Sequence, residues 1–381
     1  MRGNAAMTRP VHVMHVVHTL RTGGMEMGVV KLANGLNPAR VRSSICSTTP
    51  AGEIKALIAR DVPVIELARK AGADVRIVTA LAGAFRRERP DVVHTHAWGT
   101  LLEGLVAARL AGVGAVVHGE HGTLQLKTHQ RWLQRLGWSR VDRVLSVSSI
   151  LAERMSESTG FPLARITVIR NGVNLNGFQA PGDHGVRASL QLAPSTFVIG
   201  TVGRLVPVKD HATLVKAAAS LGTAGVPVAV VIAGDGPLGE RLQAQARAAD
   251  VDLRLLGYRA DIASVLTALD VFVSSSVSEG LSNTILEAMS ASRPVVATRV
   301  GGTEEMVVEG ETGYLIPAGD AAAMAAALHR LYAAADRGRA LGAAGRVRVE
   351  REFALERMMA RYEALYLDVA SNEASRRGDP A

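Results

Sequence analysis

Two cations five positions apart open the chemistry of this chain. Arg204 and Lys209, in the segment GRLVPVKD, occupy a Gly- and Pro-containing loop after an apolar β-branched run. A guanidinium fork and an ammonium point charge at that spacing can hold both phosphates of a diphosphate. A solvated loop that happens to be basic is the plainer alternative. Two carboxylates eight apart follow in SEGLSNTILEAM, Glu279 in a Gly280-containing turn and Glu287 in the first turns of a helix. Carboxylates accept the hydroxyl donors of sugars and riboses, while Ser282, Asn283 and Thr284 would offer backbone N–H groups to an anion. Thr284-x-x-Glu287 also has the pattern of a capping box, which would occupy Glu287 with backbone donors and leave Glu279 without a task.

Glycine turns accompany these groups. HTLRTGG, ending in Gly23-Gly24, and Gly203-Arg204-Leu205 each follow the first strand of one half of the chain. Backbone N–H groups can approach a phosphate there at a helix N-terminus, although any α/β protein needs glycine in such turns. Neither turn matches GxGxxG or GxxxxGK[ST], so dinucleotide and P-loop chemistry lose their main support. In His118-Gly119-Glu120-His121-Gly122 two imidazoles and a carboxylate raise metal binding. Strand alternation, however, points His118 and Glu120 one way and leaves His121 to the turn. No HExxH or CxxC accompanies them, and neither a metal nor another cofactor is expected. His94-Thr95-His96 places two imidazoles on one strand face, as cleft lining or core.

The elements that must position these groups alternate along the whole sequence. VHVMHVVHTL, SSICSTT, PVIEL, DVVHTHAWG, GAVVHGEHG, RVLSVSS and ITVIRNGV read as strands in the first half. TFVIGTVGRL, PVAVVIAGDGP, LRLLGY, VFVSSSVSE, PVVATRVGG and GYLIP read as strands in the second. Periodic segments between them, such as MEMGVVKLANGL, IKALIARD and ATLVKAAASLG, read as helices. Strand and helix at this spacing predict parallel sheets covered on both faces, in two doubly wound Rossmann-like domains of 1–180 and 181–351. The Gly-, Pro- and Asn-rich stretch 174–195 is the expected hinge, a ligand crevice is expected at the carboxyl ends of the strands, and a final helix near 352–368 is a candidate to cross back onto the first domain.

Composition bounds the class. The chain has 381 residues, 48% of them hydrophobic and 20% charged, which excludes disorder. Its one cysteine, Cys46, excludes a disulfide scaffold. No apolar run reaches the roughly 18 to 20 residues of a spanning helix, and the basic start MRGNAAMTRP lacks the apolar core and cleavage site of a signal peptide. A soluble cytoplasmic protein is therefore expected. Residues 1–180 carry 23 Lys and Arg against 12 Asp and Glu, so the net charge of +8 resides in the first half. That excess favours an anionic partner, and the absence of a reading motif excludes nucleic acid as a good candidate.

Together these segments resemble the retaining glycosyltransferases of family four, which have the GT-B fold of two Rossmann-like domains facing across a cleft. The resemblance runs from about residue 11 to 368. It rests on Gly23-Gly24, the EHG segment at 120–122, IRNGVN at 169–174, GRLVPVKD, AGDGP at 233–237, the Glu279/Glu287 pair and VGGTEE at 300–305. It implies that a nucleoside diphosphate sugar, most simply a UDP-sugar, gives its hexose to an acceptor hydroxyl with retention and without a metal. By the same resemblance Arg204 and Lys209 bind the diphosphate, Glu287 the ribose, and Glu279 the 3- and 4-hydroxyls of the sugar. Leu281 to Thr284 would supply backbone donors; Gly234, Asp235, Gly236, Gly257, Tyr258 and Arg259 would frame the base. His121 matches the cleft histidine near the sugar, and Gly24 the phosphate-facing glycine of the acceptor domain. The chain departs from the common EGFG pattern at Leu281-Ser282, which puts the sugar contacts in question. The HGEHG segment and the MHVVHxLxxGGME start look most like sugar transferases of bacterial exopolysaccharide systems.

The acceptor would belong to the first domain. There, 124–143 sets Trp132 and Trp138 among Lys127, Arg131 and Arg135, a composition suited to an anionic membrane interface and a lipid-linked or saccharide acceptor at the cytoplasmic leaflet. An ordinary surface helix with its tryptophans on the core is the competing reading. Two other functions share the architecture: a sugar-nucleotide 2-epimerase, which needs further acid/base groups, and a catalytically silent scaffold, which would require loss at Arg204, Lys209, Glu279 or Glu287.

Overall fold

The computed structural model describes residues 9–21, 23–70, 74–122, 128–178 and 185–377. The chain divides into two compact units, residues 1–171 with 356–381, and residues 172–355. The division at Asn171/Gly172 lies ahead of the 180/181 boundary expected from composition. Val173 and the stretch after Phe353 pair side by side inside the second unit, Val173 N donating to Phe353 O at 2.9 Å and Leu355 N to Val173 O at 3.1 Å.

The first unit is built on a seven-stranded sheet of order β3-β2-β1-β4-β5-β6-β7. Its strands are β1 Val11–Val17, β2 Val41–Ser47, β3 Val64–Glu66, β4 Val92–His96, β5 Ala115–Glu120, β6 Arg143–Ser146 and β7 Ile166–Val168. All ladders are parallel. Helices α1 Gly24–Gly35, α2 Arg76–Glu88, α3 Trp98–Ala111, α4 Thr128–Trp138 and α5 Ser149–Thr159 connect them. β1 is buried at every position, His12 and His15 included, as a strand covered on both faces must be. The apolar side chains of Val17, Leu20, Val29, Val30 and Ile45 form one core cluster between this sheet and α1.

The second unit carries a six-stranded sheet of order β10-β9-β8-β11-β12-β13. These strands are β8 Phe197–Val202, β9 Val228–Ala233, β10 Asp252–Leu255, β11 Val271–Ser274, β12 Val295–Thr298 and β13 Gly313–Ile316, again all parallel. Helices α6 Val186–Ser189, α7 His211–Thr223, α8 Gly239–Ala248, α9 Ile262–Ala268, α10 Asn283–Ser290, α11 Thr303–Met306, α12 Ala321–Ala333 and α13 Arg339–Glu352 complete it. Phe197, Ile199, Leu214, Val230, Ile232 and Leu328 are among the fully buried members of its core. Each such side chain contributes about 1.5–3 kcal/mol by leaving water.

The last helix, α14 Leu355–Arg377, belongs from Glu356 onward to the first unit. Met358, Tyr362, Tyr366 and Val369 form its buried stripe at helical spacing. Glu363 accepts from Arg40 Nη1 at 2.8 Å and from Asn37 N at 2.9 Å, and Arg143 pairs with Asp368 at 2.7 Å. The helix is longer than the 352–368 expected, and α13 was not anticipated. Its buried face includes Gly342 and Gly345, which no apolar periodicity marks; a Cβ at Gly342 would strike the Ser292 carbonyl. IKALIARD, expected as a helix, closes instead as a 3₁₀ turn at Glu53–Leu57. Among the described residues no helix is long and apolar enough to cross a membrane.

Candidate active site

In the second unit the loops after β8, β9 and β11 gather the charged groups. Gly203 N donates to Ala233 O at 2.9 Å and Leu205 N to Asp235 O at 2.8 Å, so the GRL and AGDGP turns are bonded to each other. Gly234 and Gly236 take φ of 148° and 158°, and a Cβ on either would collide with the Gly203 or Leu205 carbonyl. Glycine is required at both because backbone meets backbone there. Gly234 N also donates to Gly257 O at 2.8 Å, and Asp235 Oδ2 accepts from Tyr258 N at 2.8 Å. The Asp235 carboxylate thus fixes the 257–258 turn. The Tyr258 ring is exposed, and Arg259 is held by a two-point pair with Asp261 at 2.7 and 2.6 Å.

Lys209 and Glu279, 70 positions apart, meet: Lys209 Nζ lies 2.5 Å from Glu279 Oε1. Ser276 Oγ donates to the same oxygen at 2.7 Å, and Ser275 Oγ to Lys209 O at 2.8 Å. The pair is mostly shielded, with side-chain exposures of 22% and 12%, so each charge depends on the other. The stem of Lys209 lies over Gly203. Arg204 is exposed, and its carbonyl is the partner of His211 Nε2 at 3.2 Å. Burial lowers His211 to about 4, so its imidazole is neutral near pH 7.

The SEGLSNT segment packs against a turn to which sequence reasoning gave no task. Gly301, at φ 51°, sits so close to the Glu279 carbonyl that a Cβ would overlap it, and Gly302 N donates to Gly280 O at 2.8 Å. Gly301-Gly302 of VGGTEE therefore supports the Glu279 loop; the doubled glycine after a strand was the available signal. Ser276 carried none. The N-cap of α10 is Ser282, whose hydroxyl is 3.1 Å from Thr284 Oγ1. Thr284 lies inside the helix, so the Thr284/Glu287 capping box is absent and Glu287 is not explained as a cap. Leu281 and Ser282 are buried, while Asn283, Thr284 and Glu287 are half-buried.

In the first unit the strand register assembles imidazoles. β1 sets His15 beside His94, and β4 sets Thr95 beside His118 and His96 beside Gly119. One face therefore carries His15, His94 and His96, all buried. His15 Nδ1 is 3.2 Å from His96 Nε2, His96 Nδ1 is 2.9 Å from His121 Nε2, and His94 Nδ1 is 2.7 Å from Tyr366 Oη of α14. Burial is the first cause that lowers His15 to about 3, His121 to about 4, and His94 and His96 well below the ordinary range. All four are neutral near pH 7. The opposite face carries Thr95 Oγ1, His118 Nδ1 at 2.8 Å, His118 Nε2 to Glu120 Oε1 at 3.0 Å, and Gln134 Nε2 to the same oxygen at 2.6 Å. His118 and Glu120 share a side as alternation requires, and His121 joins the other cluster from the turn. Nitrogens of His15, His94 and His96 lie within 4.8 Å of one another, the one group among the described residues that could hold a metal ion.

In the first unit the glycine turn opens a helix, and one expectation changes. Gly23 is the N-cap of α1, and the Glu26 carboxylate folds back over it. Gly24 is the first residue of α1, and a Cβ there would meet nothing within 4 Å. In α4, Trp132 is 65% exposed with Arg131 and Arg135 exposed beside it, but Trp138 is fully buried, 5.5 Å from the Phe161 ring in a T-shaped contact. Six residues are one and two-thirds turns, which places the two indoles on different faces. Trp138 is core. Lys127 lies outside the described residues.

Two units of parallel sheet covered by helices, each Rossmann-like, have the GT-B architecture. A HepE protein of Anabaena, solved with UDP-glucose, superposes with a TM-score of 0.84 over 94% of this chain and 99% of its own, at 22% identity. Family models match both halves: Glycosyltransferase Family 4 over residues 22–176, and Glycosyl transferases group 1 over residues 196–334. An Escherichia coli UDP-Gal:alpha-D-GlcNAc-diphosphoundecaprenol alpha-1,3-galactosyltransferase is 33% identical over 65% of this chain and 67% of its own length. The alpha-maltose-1-phosphate synthase of Mycolicibacterium smegmatis is 32% identical over 74% of this chain and 80% of its own. The chain belongs to glycosyltransferase family four.

Proposed function

We propose that the protein transfers a hexose from a UDP-sugar to a hydroxyl of a lipid-linked or polysaccharide intermediate in cell-surface exopolysaccharide synthesis, with retention and without a metal. The meeting of Lys209 and Glu279 carries this reading. A cation and a carboxylate poised together at the strand ends of the second unit suit a donor that presents a diphosphate next to sugar hydroxyls. The second unit is then the donor domain and the first the acceptor domain. On binding, Lys209 turns from Glu279 to the diphosphate with Arg204, and Glu279 turns to the sugar hydroxyls. Glu287 receives the ribose, and the 234–236 and 257–259 turns frame the base.

In the reaction the bond from the anomeric carbon to the diphosphate oxygen breaks, and a bond to the acceptor oxygen forms on the same face. The acceptor proton passes to the departing phosphate, so no protein base is assigned. Charge accumulates on the leaving group, and Arg204 and Lys209 stabilise it. The Escherichia coli relative, a galactosyltransferase that acts on a diphosphoundecaprenol-linked sugar, supports a lipid-linked acceptor, and the exposed Trp132 with Arg131 and Arg135 supports docking of α4 on an anionic leaflet.

A thermal-shift panel of UDP-, GDP- and ADP-sugars without added metal, on the wild type and on Lys209→Ala and Glu287→Ala, tests the donor. Ligand at about 100 times its Kd adds roughly 2.7 kcal/mol to stability. Stabilisation by a UDP-sugar that both variants lose supports the reading; binding that survives both substitutions, or no binding, overturns it. Salt-reversible sedimentation with anionic vesicles, lost in Trp132→Ala, tests docking.

A further inference from the structure

His15, His96 and His121 form a continuous line of ring nitrogens, and a count of protons constrains it. Each of the two contacts, His15 Nδ1 to His96 Nε2 at 3.2 Å and His96 Nδ1 to His121 Nε2 at 2.9 Å, needs one N–H and one bare nitrogen. Three neutral imidazoles carry three protons. Two fill the contacts, and the third sits at one end of the line, on His15 Nε2 or on His121 Nδ1.

The two ends differ. His15 Nε2 is fully buried and has no hydrogen-bond partner. A proton there would be an orphaned donor, which protein interiors tolerate less than an under-used acceptor. The neighbouring His94 meets the same choice: its Nδ1 is bonded to Tyr366 Oη at 2.7 Å, and its Nε2 is buried without a partner. A bare Nε2 on both rings avoids two orphaned donors.

We propose that His15 and His96 are positioning residues that drive their protons in one direction and hold His121 in the Nδ1–H form, so that His121 meets its ligand as a hydrogen-bond donor to a hydroxyl or other neutral oxygen, and not as a base. Burial keeps the rings neutral, as the lowered values of His15 and His121 reflect. Successive donors along the line polarise one another and strengthen the last N–H. That the ligand is the transferred sugar rests on the transfer reading above; the tautomer does not.

The competing occupant is a metal ion on His15, His94 and His96. Both nitrogens of His96 are already engaged, and its ring lies against His94, tilted by 39° with centroids 4.0 Å apart, which favours the hydrogen-bonded line.

Long-range ¹H–¹⁵N correlation spectra of the full chain labelled at histidine test the proposal, with His121→Asn for assignment. The expected spectrum shows His121 protonated at Nδ1 and bare at Nε2. His96→Asn, whose amide keeps a donor near the Nδ1 position, retains that form; His96→Leu shifts His121 to Nε2–H. A wild-type His121 protonated at Nε2, or one indifferent to both His96 variants, overturns the proposal. Should His96→Leu fail to fold, the wild-type spectrum decides alone. Zinc added at one equivalent is expected to leave the His15, His94 and His96 signals in place; stoichiometric binding that moves all three overturns the line in favour of a metal centre. None of these spectra needs a sugar nucleotide, so their failure is distinct from failure of the nucleotide panel.

Discussion

The two sheets solve one problem in opposite ways. Both are all-parallel, and both gather polar side chains, in the first within the strands and in the second in the loops that follow them. In the first unit those groups are His15, His94 and His96, buried until they lose their charge. In the second they are Lys209 and Glu279, which form an ion pair, and Arg204, which is exposed. A neutral buried group is held by hydrogen bonds of fixed direction, whereas a shielded ion pair is a balance that an incoming ion can tip. The first end suits orientation, and the second suits binding a charged substrate.

The largest expected effect sharpens that contrast. Lys209→Ala removes the cation that the proposed reaction sets against the leaving group, and loss of one such donor costs about 10²–10³ in kcat. Melting should fall by less than turnover, because Glu279 loses its cation but keeps the Ser276 hydroxyl. UDP release from a UDP-sugar, measured beside a thermal melt, checks both. A variant that loses its fold while the folded fraction keeps full turnover would make the pair structural and erase the distinction.

Acid should separate the units next. An imidazole whose folded pKa lies below its unfolded value of about 6.5 leaves the unfolded state binding more protons at lower pH. Its stabilising share is complete above about pH 6.5 and is lost as pH falls toward the folded value, near 3 for His15 and near 4 for His121. At pH 5 each such ring costs of the order of 2 kcal/mol. His94 and His96 act in the same direction in the first unit, against His211 in the second. Trp98, Trp132 and Trp138 all belong to the first unit, so their emission follows its urea unfolding. Between pH 7 and pH 5 that midpoint should fall more than the loss of amide protection in β8 and β9. Equal losses would break the comparison.

What could be read from sequence divides along the same physical line. The strands were legible because a parallel strand buried on both faces is a short apolar run, from VHVMHVV to GYLI. Lys209 and Glu279 stood out as candidates through their spacings to Arg204 and Glu287, but their pairing, across 70 positions, did not. The partnership of His15 with His96 was not, since it depends on the parallel pairing of β1 with β4, a relation between residues 81 apart. Nor does the sequence show what Gly301 does, because its contact is with another loop's carbonyl. Trp132 and Trp138 were misread as a pair because composition does not specify a helix face. Substituting them separates surface from core: Trp138→Ala should cost about 3–5 kcal/mol and Trp132→Ala within about 0.5 kcal/mol, by urea unfolding.

A finer distinction concerns one hydroxyl. Tyr366 Oη is the partner of His94 Nδ1, and both side chains are fully buried. Tyr366→Phe keeps the ring against Tyr362 and His15 but leaves that nitrogen without a partner, at a cost of about 1–3 kcal/mol. In a domain of this size each kcal/mol lowers Tm by roughly 2–4 °C. Because His94 is not in the line that ends at His121, binding of a sugar nucleotide should be unchanged once the variant is folded. Stability lost with affinity intact is what a purely structural hydrogen bond gives. Affinity lost with the melt unchanged would mean that α14, through Tyr366, sets the imidazole cluster for the ligand, and the first unit's neutral groups would then share the binding task assigned to the charges of the second.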